Sequence, residues 1–66
     1  MKILLNGEAT TLPDTLTVTA LLHHLNMGER RVAVEINRQI VPRSQHGTRT
    51  LAEGDIVELV QAMGGG

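Results

Sequence analysis

The chain is made of short apolar segments separated by turn-forming residues. Residues 1–6 form the first apolar segment, and Asn6-Gly7 follows it. This dipeptide is typical of a type I′ hairpin turn, because both residues tolerate positive φ. Residues 8–12 are rich in β-branched threonine and are followed by Pro13, which cannot donate a hydrogen bond to a neighbouring strand. The pattern therefore predicts an opening β-hairpin.

The next segment has the periodicity of an amphipathic helix. Its apolar residues recur at i, i+3, i+4 and i+7 and so share one helix face: Val18, Leu21, Leu22 and Leu25. Thr17 is a suitable N-cap, and Leu16 and Leu21 stand at the two positions of a hydrophobic staple. Asn26 or Gly28 is predicted to end the helix in the left-handed conformation.

Strand patterns return after the helix. Residues 31–36 alternate between apolar and polar positions, and a tight turn at Asn37-Arg38 connects them to a short strand over 39–41, which Pro42 ends. Residues 43–54 are predicted to form an irregular crossover with Leu51 as its buried anchor. Residues 55–63 form the longest and most continuously apolar strand candidate, which is typical of a central strand.

The order β-β-α-β-β-β predicts an α+β protein in which one helix crosses a mixed sheet. This is the β-grasp, or ubiquitin-like, fold, and the right-handed crossover rule places the first and last strands side by side in its centre. We expect one domain over residues 1–63 and a flexible glycine tail over 64–66. Alternation predicts a core made of Ile3, Leu5, Val18, Leu21, Leu22, Leu25, Val32, Val34, Ile36, Leu51, Val57 and Leu59.

The same alternation turns Leu4 and Val60 away from the core, and Met63 leads from them toward the tail. If the two strands are neighbours, Leu4 and Val60 should lie close together on the open side of the sheet. Exposed apolar residues that form a patch are typical of a partner-binding surface. We therefore predict a docking patch at these three residues.

Composition excludes several classes of function. The 66 residues carry a formal net charge of -1 and contain no aromatic residue and no cysteine. Nucleic-acid binding is disfavoured because it needs a basic surface and commonly uses aromatic stacking. A disulfide framework and a nucleophilic thiolate are both excluded. The start of the chain does not resemble a signal peptide, and no apolar run approaches the roughly 18 residues of a membrane span. We expect a cytoplasmic protein.

The polar residues do not form a catalytic pattern. His23 and His24 are adjacent on a helix and point about 100° apart, so they cannot share one metal ion. Ser44 and His46 could form a nucleophile and base, but the sequence offers no third group to orient them. We therefore predict no catalytic residue and no metal site.

The chain ends in Gly64-Gly65-Gly66, a tail that a folded domain does not need. Glycine loses more backbone entropy on ordering than any other residue. A tail without side chains can, however, enter a narrow channel of a partner and deliver its terminal carboxylate there. An expression scar, a truncated linker or a frayed end would have the same composition.

An ordered set of motifs over essentially the full chain resembles the ThiS family, the sulfur carrier proteins of thiamin biosynthesis. The matching stretches are Met1-Lys-Ile-Leu-Leu-Asn-Gly-Glu8, Thr17-Val18 with Leu21-Leu22, Val34-Glu-Ile-Asn37, Ile40-Val-Pro-Arg-Ser44, Gly54-Asp55 and Gly65-Gly66. Departures from the family pattern are small: His46 stands where an aromatic residue is more usual. The small subunit of molybdopterin synthase is a related family, and the Asn6-Gly7-Glu8 hairpin favours the thiamin branch.

The resemblance implies a carrier that is not itself an enzyme. Gly66 would be adenylated and then converted to a thiocarboxylate, while Gly64 and Gly65 thread the partner's active site. ATP and Mg²⁺ would be used by a ThiF-type adenylyltransferase, sulfur would come from a persulfide donor such as a cysteine desulfurase, and a ThiG-type thiazole synthase would receive it. The residues alone leave three alternatives: a sulfur carrier for molybdopterin synthesis, a β-grasp interaction module with incidental glycines, and a ubiquitin-like tag.

Overall fold

The computed structural model describes residues 1–13, 15–28 and 30–61. Within these residues the elements follow the predicted order, and the α+β, β-grasp prediction of a mixed sheet with one crossing helix is confirmed. A short 3₁₀ helix lies in the predicted crossover. The elements are β1 Lys2–Leu5, β2 Glu8–Thr11, α1 Val18–His24, β3 Val32–Ile36, β4 Gln39–Val41, the 3₁₀ helix Arg43–Gln45 and β5 Ile56–Gln61.

The sheet has the strand order β2-β1-β5-β3-β4 within the described residues. Strands β1 and β5 are parallel, and the other neighbouring pairs are antiparallel. The first and last strands are therefore adjacent near the centre of the sheet, as predicted. Strand β5 pairs with a neighbour on each side, and its last described pair joins Gln61 to Val32. The tail, residues 64–66, lies outside the described residues.

Both predicted hairpin turns are present, and both have a left-handed backbone, which was predicted for Asn6-Gly7 only. Asn6 and Gly7 have φ values of 48° and 85°, and Asn37 and Arg38 have 51° and 68°. Positive φ at both central residues defines the type I′ turn, whose twist matches that of the flanking strands. These turns set the antiparallel register of β1 with β2 and of β3 with β4.

Helix α1 has the predicted cap at each end. The Thr17 hydroxyl accepts a hydrogen bond from the Ala20 backbone N–H at 3.1 Å. At the other end Asn26, with φ 61°, is the left-handed residue. The backbone N–H groups of Asn26 and Met27 donate to the carbonyls of His23 and Leu22 at 3.0 and 2.7 Å. These two bonds form a Schellman motif, which satisfies carbonyls that the helix leaves open.

The core between α1 and the sheet contains most of the predicted residues, with two additions. Leu12 and Val41 are buried although they were not predicted. Leu12 follows the end of β2, and its backbone N–H bonds to the Met1 carbonyl at 2.8 Å. Val41 lies on the edge strand opposite buried Val34. Three residues predicted to be in the core pack only partly buried against it, at strand ends or the helix C-cap: Leu5, Leu25 and Val32.

Candidate functional site

The sheet face opposite α1, here called the open face, carries the exposed apolar residues. Because side chains alternate along a strand, each strand that buries residues on one face turns their neighbours to the other. Leu4 is 38% exposed, Ile56 41%, Val60 62% and Ile40 75%. These four residues come from β1, β5 and β4, so exposed apolar residues occur across the width of the sheet.

The predicted proximity of Leu4 to Val60 is wrong. The register pairs Leu4 with Ile56, whereas Val60 pairs with Ala33 of β3. Val60 is four residues beyond Ile56 on the same strand, which corresponds to about 13 Å at the usual rise per residue. Both predicted residues lie on the open face, but in separate apolar areas: Leu4 lies beside Ile56, and Val60 lies beside Ala33. Met63, the third predicted docking residue, lies outside the described residues.

Two acidic side chains lie between these apolar areas. Glu58 of β5 is directly opposite Glu35 of β3 in the antiparallel register, so the two share the open face. Ile40 of β4 is in turn opposite Glu35. Like charges directly opposite each other on neighbouring strands are unfavourable to folding. The open face therefore combines exposed apolar residues with a central negative charge.

Two turn asparagines anchor β5, the strand that leads toward the tail. The Asn6 side-chain oxygen accepts a hydrogen bond from the Leu59 N–H at 2.8 Å. Asn6 directly follows β1, which ends at Leu5. The Asn37 side-chain oxygen accepts from the Ile56 N–H at 3.0 Å at the start of β5. The sequence pattern predicts both residues as turn residues only. Asparagine, unlike glycine, combines positive φ with a side-chain acceptor, and this is the signal for the anchoring role.

Asp55 completes the anchor at the start of β5. Its carboxylate is buried and accepts hydrogen bonds from the Asn37 amide at 3.1 Å and from the Ala52 N–H at 2.8 Å. Both oxygens therefore have a donor, which is what burial of a carboxylate requires. The role of Asp55 is to fix the loop that enters the central strand.

The histidines are not arranged for catalysis in the described structure. His46 is buried, and its Nε2 lies 3.0 Å from the Val41 carbonyl oxygen. Since a carbonyl can only accept, Nε2 carries a proton and donates. Ser44 is exposed on the 3₁₀ helix, and His23 and His24 are exposed on α1. Among residues 1–13, 15–28 and 30–61, no group of three His, Cys, Asp or Glu side chains is placed to hold a metal ion.

Within the described part of the chain, no helix is long and apolar enough to cross a membrane.

Comparison with known proteins gives consistent matches over the full chain. The family model described as the ThiS family matches residues 3–66. The sulfur carrier protein ThiS of Escherichia coli is 38% identical over 66 residues, covering all of both chains. A crystal structure of the thiamine biosynthesis protein ThiS from Geobacter metallireducens superimposes with a TM-score of 0.85 at 35% identity and covers all of both chains.

A second kind of relative is much longer. A thiazole synthase of Paramagnetospirillum magneticum is 42% identical over 66 residues, which cover all of this chain. The chain spans only about a fifth, 20%, of the length of that relative. The longer protein thus contains one segment similar to the whole of this chain.

Proposed function

This chain belongs to the ThiS family, and we propose that it carries sulfur for thiamin biosynthesis on Gly66. Membership of the family, predicted from the sequence motifs, is confirmed. The observation that carries the proposal is the family match, which extends through Gly66. It is supported by a fold whose last strand lies near the centre of the sheet and is anchored by Asn6 and Asn37.

The proposed chemistry begins with activation, because a carboxylate is a poor electrophile. An oxygen of the Gly66 carboxylate attacks the α-phosphorus of ATP, pyrophosphate leaves, and a glycyl adenylate forms. When sulfide attacks the carbonyl carbon, AMP leaves and the product is a thiocarboxylate. When a persulfide attacks, AMP leaves and an acyl disulfide forms; a second thiol then attacks the donor's sulfur, forms a disulfide with it and releases the thiocarboxylate. The absence of cysteine from the chain leaves Gly66 as its sulfur-bearing position.

In this proposal the chain is a co-substrate and its partners hold the catalytic groups. A ThiF-type adenylyltransferase would bind ATP and Mg²⁺, and a cysteine desulfurase would supply the persulfide. Thiazole synthase would receive the sulfur. The similarity of this chain to a segment of a longer thiazole synthase supports the last partner, since domains found in one chain in some organisms commonly act together.

The open face is the proposed docking surface for these partners. Leu4 and Val60 would contact a partner as two separate apolar anchors, with Met63 closer to the tail. Ile56 extends the first anchor beside Leu4. A basic partner group placed between them would neutralise Glu35 and Glu58, whose mutual repulsion disfavours the free protein.

Gly64 and Gly65 are proposed to form the part of the tail that threads the partner's active site. A bare backbone has the smallest cross-section available to a peptide, so the channel can be narrow enough to exclude water from the adenylate. Ordering the tail costs about 1–2 kcal/mol per residue, which main-chain hydrogen bonds to the partner must offset.

The proposal is tested by intact mass spectrometry after incubation with ATP, Mg²⁺, a ThiF-type adenylyltransferase and sulfide. The full chain should exchange one oxygen for sulfur. A chain without Gly66 should fold equally well, by circular dichroism, and show no exchange. Gly65→Val should also fold and load poorly, because a β-branched side chain does not fit a channel shaped for bare backbone.

The same experiment separates the alternatives. A ubiquitin-like tag would form isopeptide adducts with lysine, and an interaction module would not be adenylated at all. Transfer of the sulfur to thiazole synthase, but not to the large subunit of molybdopterin synthase, distinguishes the two carrier pathways. Loading of the chain that lacks Gly66 would refute the proposal.

A further inference from the structure

A second surface feature lies on the helix side of the sheet, away from the open face. A cleft with a cavity volume of about 220 Å³ lies between α1, the start of β3 and the 3₁₀ helix. Its polar lining comes from Arg30, Arg43, His23, His46 and Thr19. Among the described residues that line it, none is acidic. The described lining therefore carries two arginines and two histidines, in a chain whose formal charge is -1.

The two arginines come from separate parts of the chain. Arg30 precedes β3, and Arg43 begins the 3₁₀ helix after β4. A guanidinium presents several N–H donors in one plane and binds phosphate or carboxylate oxygens in pairs. Two such groups on one cleft carry two positive charges, which matches a dianion better than a monoanion.

The walls of the cleft are held in place by hydrogen bonds. The Thr19 N–H donates to the His46 carbonyl at 2.9 Å, which joins α1 to the loop after the 3₁₀ helix. The His46 ring is fixed in turn by its Nε2 bond to the Val41 carbonyl at 3.0 Å. A preformed cleft loses less entropy on binding a ligand than a flexible one.

Among the described residues, the C-terminal end of α1 would oppose anion binding. Helix carbonyls give this end a partial negative charge of about half a unit. The carbonyls of Leu21, Leu22 and His23 already accept backbone hydrogen bonds from Leu25, Met27 and Asn26. Two full positive charges therefore outweigh a partial charge whose oxygens are already occupied.

We propose that this cleft is a binding site for a phosphate-class dianion, either free phosphate or the phosphate group of a small monoester. A water molecule occupies about 30 Å³ of liquid, so the cavity of about 220 Å³ has room for a phosphate and a short substituent. The site is near the functional end of the molecule: Val32, which lines the cleft, pairs with Gln61 at the last described position of β5. This proposal does not depend on the sulfur chemistry of the tail.

The test is a titration followed by ¹H–¹⁵N correlation NMR at constant ionic strength, with inorganic phosphate and glycerol 3-phosphate as the probes. Each should give saturable shifts at the amides of Thr19, Gly28 and Val32. Arg30→Gln and Arg43→Gln should each weaken binding about tenfold or more, because a hydrogen bond to a charged group is lost. Arg38→Gln removes the same charge from the β3–β4 turn outside the cleft, and should change affinity less than about twofold.

Further probes and outcomes decide the class of ligand. Acetate, a monoanion, should bind at least about tenfold more weakly than phosphate. Saturation by phosphate but not by glycerol 3-phosphate identifies free phosphate as the ligand, and saturation by both admits monoesters. Shifts that do not saturate, equal binding of acetate, or equal weakening by Arg38→Gln would overturn the proposal. Both cleft arginines are exposed, so their variants should keep the wild-type amide spectrum elsewhere.

Discussion

The two faces of the sheet have the same strands and similar apolar residues, yet different environments. On the covered face Ile3, Val34, Ile36 and Val57 are at most 3% exposed. On the open face Leu4 and Val60 are 38% and 62% exposed, and Glu35 and Glu58 stand between the apolar areas. Within residues 1–13, 15–28 and 30–61, one short α-helix covers one face of the sheet. One face therefore stabilises the fold, and the other leaves apolar residues exposed to solvent.

The largest effect is expected from the covered face. Leu21 is fully buried on α1 and packs against the sheet. Leu21→Ala should lower the free energy of unfolding by about 2–5 kcal/mol, because it removes buried methyl groups and leaves a cavity. Urea denaturation followed by circular dichroism measures this change. An unchanged midpoint would contradict the placement of α1 over the core.

A smaller loss is expected at the anchor of β5. Asn37→Ala removes the bonds to Ile56 and Asp55, leaves a buried carboxylate oxygen without that donor, and places alanine at positive φ. We expect about 1–3 kcal/mol of destabilisation. Asn37→Gly keeps the backbone conformation favourable and removes only the side chain. If the two variants are equally unstable, the side-chain bonds account for the loss, and a stable Asn37→Gly would mean that only the backbone conformation matters.

The open face should tolerate charge with little loss of stability. Val60→Asp should cost about 1 kcal/mol or less, since the side chain is already largely in solvent. Binding to the adenylyltransferase, measured by calorimetry, should nevertheless weaken because an apolar anchor becomes charged. Leu4→Asp tests the other apolar area in the same way. Full binding by both variants would remove the open face as the docking surface.

The smallest effect has the opposite sign. Glu58→Gln should stabilise the free protein by about 0.2–1 kcal/mol, because it relieves repulsion from Glu35. The gain should shrink at high salt, which screens exposed charges. Glu8→Gln is the matched control, since Glu8 is opposite Leu5 rather than an acid. A gain of the same size in the control would show that total charge, not the Glu35–Glu58 pair, is responsible.

The parts of the fold that sequence predicted are those fixed by local chemistry. Asn6-Gly7 and Asn37-Arg38 form the expected turns, and Thr17 caps the helix as expected. Alternation also assigned Leu4 and Val60 to the correct face. Their separation was missed because a parallel pair has no hairpin to set its register. The offset between β1 and β5 is given by the observed pairing of Leu4 with Ile56.

The cleft was missed for a related reason. Three residues that line the cleft come from different segments. Arg30 precedes β3, Arg43 begins the 3₁₀ helix, and His46 follows that helix. No periodicity connects them, and only tertiary packing brings them to one cavity. Buried Leu12 and Val41 were missed because Leu12 follows a short strand and Val41 ends one, and alternation over a few residues gives little signal.

The most direct test of the proposed sulfur carrier is the intact mass of the protein isolated from thiamin-deprived cells, before and after treatment with a thiol-alkylating reagent. Because the chain contains no cysteine, alkylation would report a terminal thiocarboxylate. We expect a fraction that ends at Gly66 with one oxygen replaced by sulfur and that gains a single alkyl group. A protein that shows only the unmodified mass and takes up no reagent would contradict the assignment.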